Sequence, residues 1–105
     1  MWGLKQRDID LIRNLAQNYP SVEQVIIFGS RAMGNYREGS DVDLALQGPV
    51  TPREVREMAG LLNDELPTPY MYDVLALDSL TNQALVHHIQ TVGQILYQRE
   101  RGVFV

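Results

Sequence analysis

Two apolar segments joined by a polar loop dominate the pattern of hydrophobic and polar positions along this chain. The first is the run VIIF at residues 25–28, which predicts a strand over residues 23–28 that is covered on both faces. The second is the alternating segment DVDLAL at residues 41–46, which predicts another strand. Only residues 29–40 separate the two, and a parallel crossover normally needs a dozen or more residues, usually with a full helix. We therefore expect the two strands to be antiparallel.

The remaining apolar positions predict three helices and two more strands. Helical spacing of apolar residues extends over residues 5–18, about 52–65 and about 79–91. Apolar and aromatic runs at residues 70–77 and 94–98 predict a third and a fourth strand. We therefore expect an α/β (α+β) fold, in which a mixed four-stranded sheet is packed by helices.

Local signals mark the ends of the last two helices. Thr51 is followed three residues later by Glu54, which is the pattern of an N-cap and a capping box. Asp78 and Ser79 have side chains that can cap the third helix, and Gly93 is placed to end it. The boundaries of both helices are thus predicted by short-range chemistry as well as by periodicity.

Length and composition favour one globular domain spanning residues 1–105. The chain has no cysteine, which excludes a thiolate metal site and fits a cytoplasmic location. No apolar run approaches the roughly 20 residues of a membrane helix, and the N-terminal residues lack the pattern of a secretory signal. The formal net charge of −4 argues against direct binding of nucleic acid and suits a site that binds cations.

Asp41 and Asp43 are the first candidates for chemistry. Because they are two residues apart on a strand, they project from the same face, with Cα atoms roughly 6.5 Å apart. Their oxygens can converge on one hard cation such as Mg²⁺, which prefers a few carboxylates, water and substrate phosphates. The alternative is that both are solvated residues at the start of a strand.

Asp73 lies within the third predicted strand, among apolar and aromatic residues. An isolated carboxylate buried there would carry a substantial desolvation cost, so we expect it to have a partner. A metal shared with Asp41 and Asp43 would provide one, and two metals held by carboxylates are typical of in-line displacement at phosphorus. The alternatives are a salt bridge to an arginine such as Arg99 or Arg101, or exposure at a sheet edge.

Gly29 and Ser30 stand where the first strand gives way to a predicted helical turn at residues 31–33. Glycine lets a phosphate approach the backbone, and N–H groups at a helix start favour an anion. Arg31 and Arg37 follow in the loop, where each either contacts a triphosphate or stays solvated. A plain turn is the alternative, since a Gly-Ser dipeptide alone is not diagnostic.

Together these residues resemble the signature of the nucleotidyltransferase superfamily related to DNA polymerase β. That signature is Gly-Ser, ten residues, Asp-x-Asp, and a third acid on a later strand. In this chain its parts are Gly29-Ser30, residues 31–40, Asp41-Val42-Asp43 and Asp73. From average residue frequencies, the first two parts at this spacing arise by chance in about one chain of this length in a thousand. Residues 28–44 resemble the minimal nucleotidyltransferase (MNT) group in particular.

This resemblance implies the nucleotidyltransferase fold, ATP as donor substrate and two Mg²⁺ ions as cofactors. Gly29 and Ser30 would hold the β- and γ-phosphates. Asp41 and Asp43 would bind both metals. Asp73 would bind the catalytic metal and help to activate the attacking hydroxyl. The three acids are therefore implied as both catalytic and metal-binding residues.

The resemblance to the MNT group also implies a protein partner. Many MNT proteins are paired with a helical HEPN protein in a toxin–antitoxin module, where the HEPN partner is an RNase toxin. The MNT antitoxin neutralises the toxin by transferring AMP from ATP to one of its tyrosines. A single domain of 105 residues leaves the acceptor side of the site open, and a partner would complete it. We expect no membrane partner and no direct contact with nucleic acid.

Two other functions stay open at the level of sequence. The chain can mask a toxin as a binding module without catalysis, or it can transfer a nucleotide to a small molecule, as the related aminoglycoside nucleotidyltransferases do. Two histidines of the last predicted helix are not assigned to the site. His87 and His88 lie about 100° apart around the helix axis, which is unfavourable for sharing a metal. We expect them to be surface residues or contacts to a partner.

Overall fold

The computed structural model describes residues 1–100, in which helices cover both faces of one four-stranded sheet. None of the helices it describes is long and apolar enough to cross a membrane. In chain order the elements are α1 (Gln6–Gln17), β1 (Gln24–Phe28), α2 (Gly29–Met33), β2 (Val42–Gln47), α3 (Pro52–Gly60), a π-helical turn (Leu61–Glu65), β3 (Tyr72–Ala76), a 3₁₀ turn (Leu77–Ser79), α4 (Gln83–Val92) and β4 (Gln94–Gln98).

The sheet is mixed, and its strand order is β3-β2-β1-β4. β1 and β2 are antiparallel, with pairs running from Gln24–Gln47 to Phe28–Asp43, which confirms the relation expected from their short connection. β2 and β3 are parallel, whereas β4 runs antiparallel to β1. The observed architecture confirms the expected α+β fold with a mixed four-stranded sheet.

The larger hydrophobic core lies on the sheet face that carries Val25 and Ile27. α1 contributes the buried side chains Ile9 and Ile12 to it, and α3 contributes Met58. Complete burial of a side chain of this size stabilises a fold by roughly 1.5–3 kcal/mol. These contacts therefore fix α1 and α3 on the sheet.

The opposite face is covered by α4. Phe28 and Ala45 project to this face because side chains alternate along a strand, and Ile89 of α4 packs against them. The helix begins at a cap in which Oδ1 of Asn82 accepts a hydrogen bond from the Leu85 N–H at 3.1 Å. This smaller cluster holds α4 over the end of β1, in contact with α2.

The start of α3 confirms the predicted capping box. The Thr51 hydroxyl accepts a hydrogen bond from the Glu54 N–H at 3.2 Å, and Oε1 of Glu54 accepts one from the Thr51 N–H at 3.0 Å. After Gly60 the helix continues as a π-helical turn that ends at Glu65. The second helical segment therefore has the expected extent.

Two predicted boundaries are wrong. The third strand begins at Tyr72 instead of residue 70. The last helix is not capped by Asp78-Ser79, because those residues belong to a 3₁₀ turn and the next residue, Leu80, has an extended backbone. Asn82 provides the cap instead, so α4 begins four residues later than residue 79, at Gln83.

Candidate active site

The strand topology brings the candidate residues to one end of the sheet. Because β1 and β2 are antiparallel, the end of β1 lies beside the start of β2, where Phe28 pairs with Asp43. Because β2 and β3 are parallel, their starts also coincide, and Asp43 pairs with Asp73. Gly29 follows β1 directly, and Asp41 immediately precedes β2. The glycine turn and the three acids thus share one sheet end.

Asp43 is the central carboxylate of this cluster. It is half-buried, and burial raises its pKa above the ordinary aspartate value. Repulsion from the carboxylates of Asp73 and Asp41 raises the Asp43 pKa further, as does a hydrogen bond with Asp73. The site therefore concentrates negative charge where it is partly removed from water.

Asp73 is exposed, which corrects the expectation of a carboxylate buried in mid-strand. β3 is an edge strand, so the desolvation argument for a partner is wrong, and edge exposure is the alternative that the structure shows. Of the two arginines suggested as partners, Arg99 donates to backbone carbonyls of Ala16 and Val22, and Arg101 lies outside the described residues. Asp73 and Asp43 are linked by their paired register and by the hydrogen bond between their side chains.

The chemistry of these side chains suits a divalent cation. Mg²⁺ is usually held by one or two carboxylates together with water and substrate phosphates. Asp43 and Asp73 provide such a pair on neighbouring strands, and a cation would relieve the repulsion that raises the Asp43 pKa. Within residues 1–100, no three acidic or histidine side chains already surround a common metal position. The predicted set of Asp41, Asp43 and Asp73 is therefore not a preassembled three-ligand centre.

Gly29 is placed directly against Asp43. Its φ of +72° lies in the left-handed region, which side chains rarely tolerate. A Cβ atom at this position would also collide with Oδ2 of Asp43. Glycine is therefore needed both for the backbone turn and to leave room for the carboxylate. Its predicted contact with phosphate stays a prediction.

Ser30 is the second residue of α2, the short helix that was expected as a helical turn. Its carbonyl accepts hydrogen bonds from the N–H groups of Gly34 at 3.0 Å and Asn35 at 3.2 Å, which close the turn. Gly34 then ends the helix in a left-handed conformation. This turn keeps Ser30 at the end of β1, near the acids, where its phosphate-binding role stays a prediction.

Arg31 has a different role from the predicted phosphate contact. Its side chain is only 3% exposed. Nε and Nη2 donate to the Ser40 carbonyl at 3.1 and 2.8 Å, and Nη1 donates to the Trp2 carbonyl at 2.9 Å. The guanidinium also lies 5.2 and 4.9 Å from the ring centres of Tyr36 and Tyr70. These contacts anchor the loop that leads into β2 and exclude the alternative of a solvated side chain, whereas the contact of Arg31 with phosphate stays a prediction.

His88 belongs to the site, although the sequence pattern suggested a surface or partner-contact residue. Its Nε2 accepts a hydrogen bond from the Gly29 N–H at 3.2 Å, and its ring meets Phe28 edge-on with centroids 6.1 Å apart. The neighbouring His87 is exposed. Helical spacing carried a signal, because His88 lies three residues after Leu85, which packs toward the sheet.

The mixed sheet of this topology has the nucleotidyltransferase fold, and it places a Gly-Ser turn against strand carboxylates. A family model described as "Polymerase beta, Nucleotidyltransferase" matches residues 6–102. This chain therefore belongs to the polymerase beta nucleotidyltransferase family. No curated protein matches it significantly in sequence.

Several solved toxin–antitoxin complexes contain a chain with the same fold. One, crystallised with AMP-PNP, has a TM-score of 0.71 and 24% identity, covering 92% of this chain and 76% of that chain. The MntA–HepT complex has a TM-score of 0.68 and 22% identity, covering 90% and 74%. A complex of a tri-AMPylated Shewanella oneidensis HEPN toxin with its MNT antitoxin has a TM-score of 0.69 and 22% identity, covering 91% and 74%. These likenesses confirm the nucleotidyltransferase fold.

Proposed function

We propose that this chain is a Mg²⁺-dependent nucleotidyltransferase that transfers AMP from ATP to a tyrosine hydroxyl of a HEPN RNase toxin, and so acts as the antitoxin. The observation that carries the proposal is the Gly29-Ser30 turn set against Asp43, which pairs in register with Asp73. Family membership supports nucleotidyl transfer as the class of reaction. The AMPylated toxin in one similar complex supports the choice of donor and partner.

The proposed reaction is one displacement at phosphorus. The tyrosine oxygen forms a bond to the α-phosphorus of ATP, while the bond from that phosphorus to the bridging oxygen of pyrophosphate breaks. The hydroxyl proton passes to Asp73, and pyrophosphate leaves. Gly29 and Ser30 would hold the β- and γ-phosphates. Asp41, Asp43 and Asp73 would hold two Mg²⁺ ions, whose charge would offset the negative charge on the α-phosphate and the leaving group.

The exposure of the site on one side supports an acceptor from another protein. Asp73 lies on an edge strand and is exposed, so a hydroxyl from a second chain can approach it. Met71, which lies just before β3, is 63% exposed and would be available to an approaching protein.

Labelled ATP provides the test. We expect incubation of the chain with Mg²⁺, a HEPN partner protein and ATP labelled in the α-phosphate to label that protein. ATP labelled in the γ-phosphate should not label it. The double change Asp41→Asn plus Asp43→Asn should lower the rate by about 10³-fold or more, because it removes charge from the reacting centre. Asp64→Asn, an exposed aspartate after α3, is the matched control and should leave the rate unchanged.

The outcomes separate catalysis from masking. Equal labelling by the double variant and the unaltered chain would contradict the proposal. Neutralisation of the toxin that persists after all three acids are changed to Asn would indicate the alternative, in which the chain masks its partner without catalysis. Labelling of a small molecule instead of the protein would indicate a different acceptor.

A further inference from the structure

We propose that His88 is a positioning residue for nucleotidyl transfer, which holds the Gly29 turn in the conformation that accommodates the Asp43 carboxylate. The proposal rests on the proposed function, because it assigns a role within the same site. His88 lies on α4, which carries none of the signature residues. Gly29 and Ser30 lie in α2, Asp41 immediately precedes β2, and Asp43 and Asp73 lie in β2 and β3.

The contact between His88 and Gly29 is directional. The Gly29 N–H donates to Nε2 of His88 at 3.2 Å, so Nε2 is the acceptor in this contact. The ring meets Phe28, the last residue of β1, edge-on with an interplanar angle of 78°. One imidazole therefore contacts two consecutive residues at the point where the strand turns into α2.

This hydrogen bond also changes the role of Gly29. While its N–H is bound to His88, it does not donate to a phosphate, so the proposed hold on the β- and γ-phosphates would come from the Ser30 part of the turn, which the missing side chain of Gly29 lets a phosphate approach. The contribution of Gly29 is then steric: it has a φ of +72°, and a Cβ would collide with Oδ2 of Asp43. Gly29 is thus held between the imidazole of α4 and the carboxylate of β2. A shift of this residue would change the space left for Asp43.

The position of His88 is itself fixed by packing. Ile89, the next residue, is 2% exposed and packs with Phe28 and Ala45. At the end of α4, a Cβ on Gly93 would lie 2.7 Å from Cγ2 of Ile26, which shows how closely the helix end approaches β1. The core therefore holds the acceptor atom in one place. A side chain fixed in this way can position the glycine turn before substrate binds.

Kinetics provide the first test, on the chain reconstituted with its partner. His88→Ala removes the acceptor, and we expect kcat to fall by about 10- to 100-fold with a smaller change in KM for ATP, because misplacement of a reacting group by 1 Å can cost about 10²-fold. His88→Gln offers an amide oxygen as acceptor and should restore kcat to within a few-fold. His87→Ala, the exposed neighbour, is the matched control and should leave kcat unchanged. Unaltered kcat in His88→Ala would overturn the proposal.

A second measurement does not depend on activity. In ¹H–¹⁵N spectra of the full chain, His88→Ala should shift the Gly29 amide signal, whereas His88→Gln should shift it less and His87→Ala should not shift it. The ¹⁵N signals of His88 should show an unprotonated Nε2. A Gly29 amide that is unchanged in His88→Ala would overturn this inference even if the chain transfers AMP. If the predicted shifts of the Gly29 amide are observed but the chain does not transfer AMP, the proposed function is contradicted and the contact between His88 and Gly29 is not.

Discussion

Gly29 is constrained by its backbone and by its neighbour at the same time. Changing Gly29 to Ala should destabilise the fold by about 1–2 kcal/mol, because a Cβ is unfavourable at a φ of +72°. The Cβ would also displace the Asp43 carboxylate, so we expect the rate of AMP transfer to fall by about 10²-fold. Thermal unfolding and steady-state kinetics measure the two effects.

Gly34 provides the matched control. Its φ is +84°, but a Cβ there would meet no atom within 4 Å. Gly34→Ala should therefore cost a similar amount of stability and leave the transfer rate nearly unchanged. If Gly29→Ala and Gly34→Ala reduce the rate equally, steric access for Asp43 is not the function of Gly29.

Asp43 links the stability of the fold to pH. Because its pKa is raised in the folded state, first by burial and then by Asp73 and Asp41, the fold favours its protonated form. That contribution to stability is present at low pH and is lost as the pH rises through the raised pKa. Asp43→Asn should therefore stabilise the metal-free protein near pH 7. The gain should stay below about 1 kcal/mol, because the group is partly solvated.

Thermal unfolding in EDTA as a function of pH measures this effect. The difference in Tm between Asp43→Asn and the unaltered chain should grow from about pH 4 to pH 7. Addition of Mg²⁺ should raise the Tm of the unaltered chain more than that of the variant, since the variant has lost a ligand. A variant that is less stable than the unaltered chain at pH 7 without metal would contradict this account of the repulsion.

Asp8 is a buried carboxylate outside the site. It is 1% exposed, and neither carboxylate oxygen has a hydrogen-bond partner among the described residues. Asp8→Leu should raise the free energy of unfolding by about 1–3 kcal/mol, because a buried polar group without a partner carries its full desolvation cost. The exposed Asp10 on the same helix is the control, and Asp10→Leu should change stability little. Denaturant unfolding measures both variants. If Asp8→Leu is less stable than the unaltered chain, the prediction is wrong, and the carboxylate stabilises the start of α1 through the helix dipole.

At the scale of elements, α3 should contribute to the stability of the fold and not to the rate of AMP transfer. Thr51→Ala removes the N-cap of α3 and should cost about 1 kcal/mol of stability. The helix packs on the sheet face opposite Asp43 through Met58, so the rate of AMP transfer should not change at a temperature where the variant is folded. Urea unfolding and the transfer assay measure the two quantities. A loss of activity in the folded variant would show that α3 also supports the site.

Elements with strong local signals were predictable from sequence. The apolar run before Gly29 and the alternation from Asp41 to Leu46 depend on neighbours along the chain, and both strands are present within one residue of their predicted ends. The capping box of Thr51 and Glu54 is likewise a short-range pattern, and it is present. The spacing of Gly-Ser and Asp-x-Asp predicted which residues share one end of the sheet.

Features that depend on tertiary contacts were not predictable in the same way. The cap of α4 is Asn82 instead of Asp78 or Ser79: all three side chains are capable caps, but Asp78 and Ser79 belong to the 3₁₀ turn before Leu80. The burial of Arg31 depends on hydrogen bonds to the carbonyls of Ser40 and Trp2. Neither residue is at a spacing that a local sequence pattern would reveal. The contact of His88 with Gly29 joins residues 59 positions apart.

At the scale of the whole molecule, the site is a consequence of strand direction. An antiparallel pair brings the end of β1 to the start of β2, and a parallel pair brings the starts of β2 and β3 together. Any chain with this topology places the turn after β1 beside acids on β2 and β3. This explains how solved structures at 22–24% identity retain the same fold.

The central claim is that this end of the sheet transfers AMP to a protein partner. Intact mass spectrometry of the HEPN partner, after incubation with the chain, ATP and Mg²⁺, tests it most directly. The account predicts that the partner gains the mass of one or more adenylyl groups on tyrosine, and that the chain with Asp41→Asn plus Asp43→Asn adds none. A partner that is neutralised but unmodified, or one modified equally by the double variant, would contradict the account.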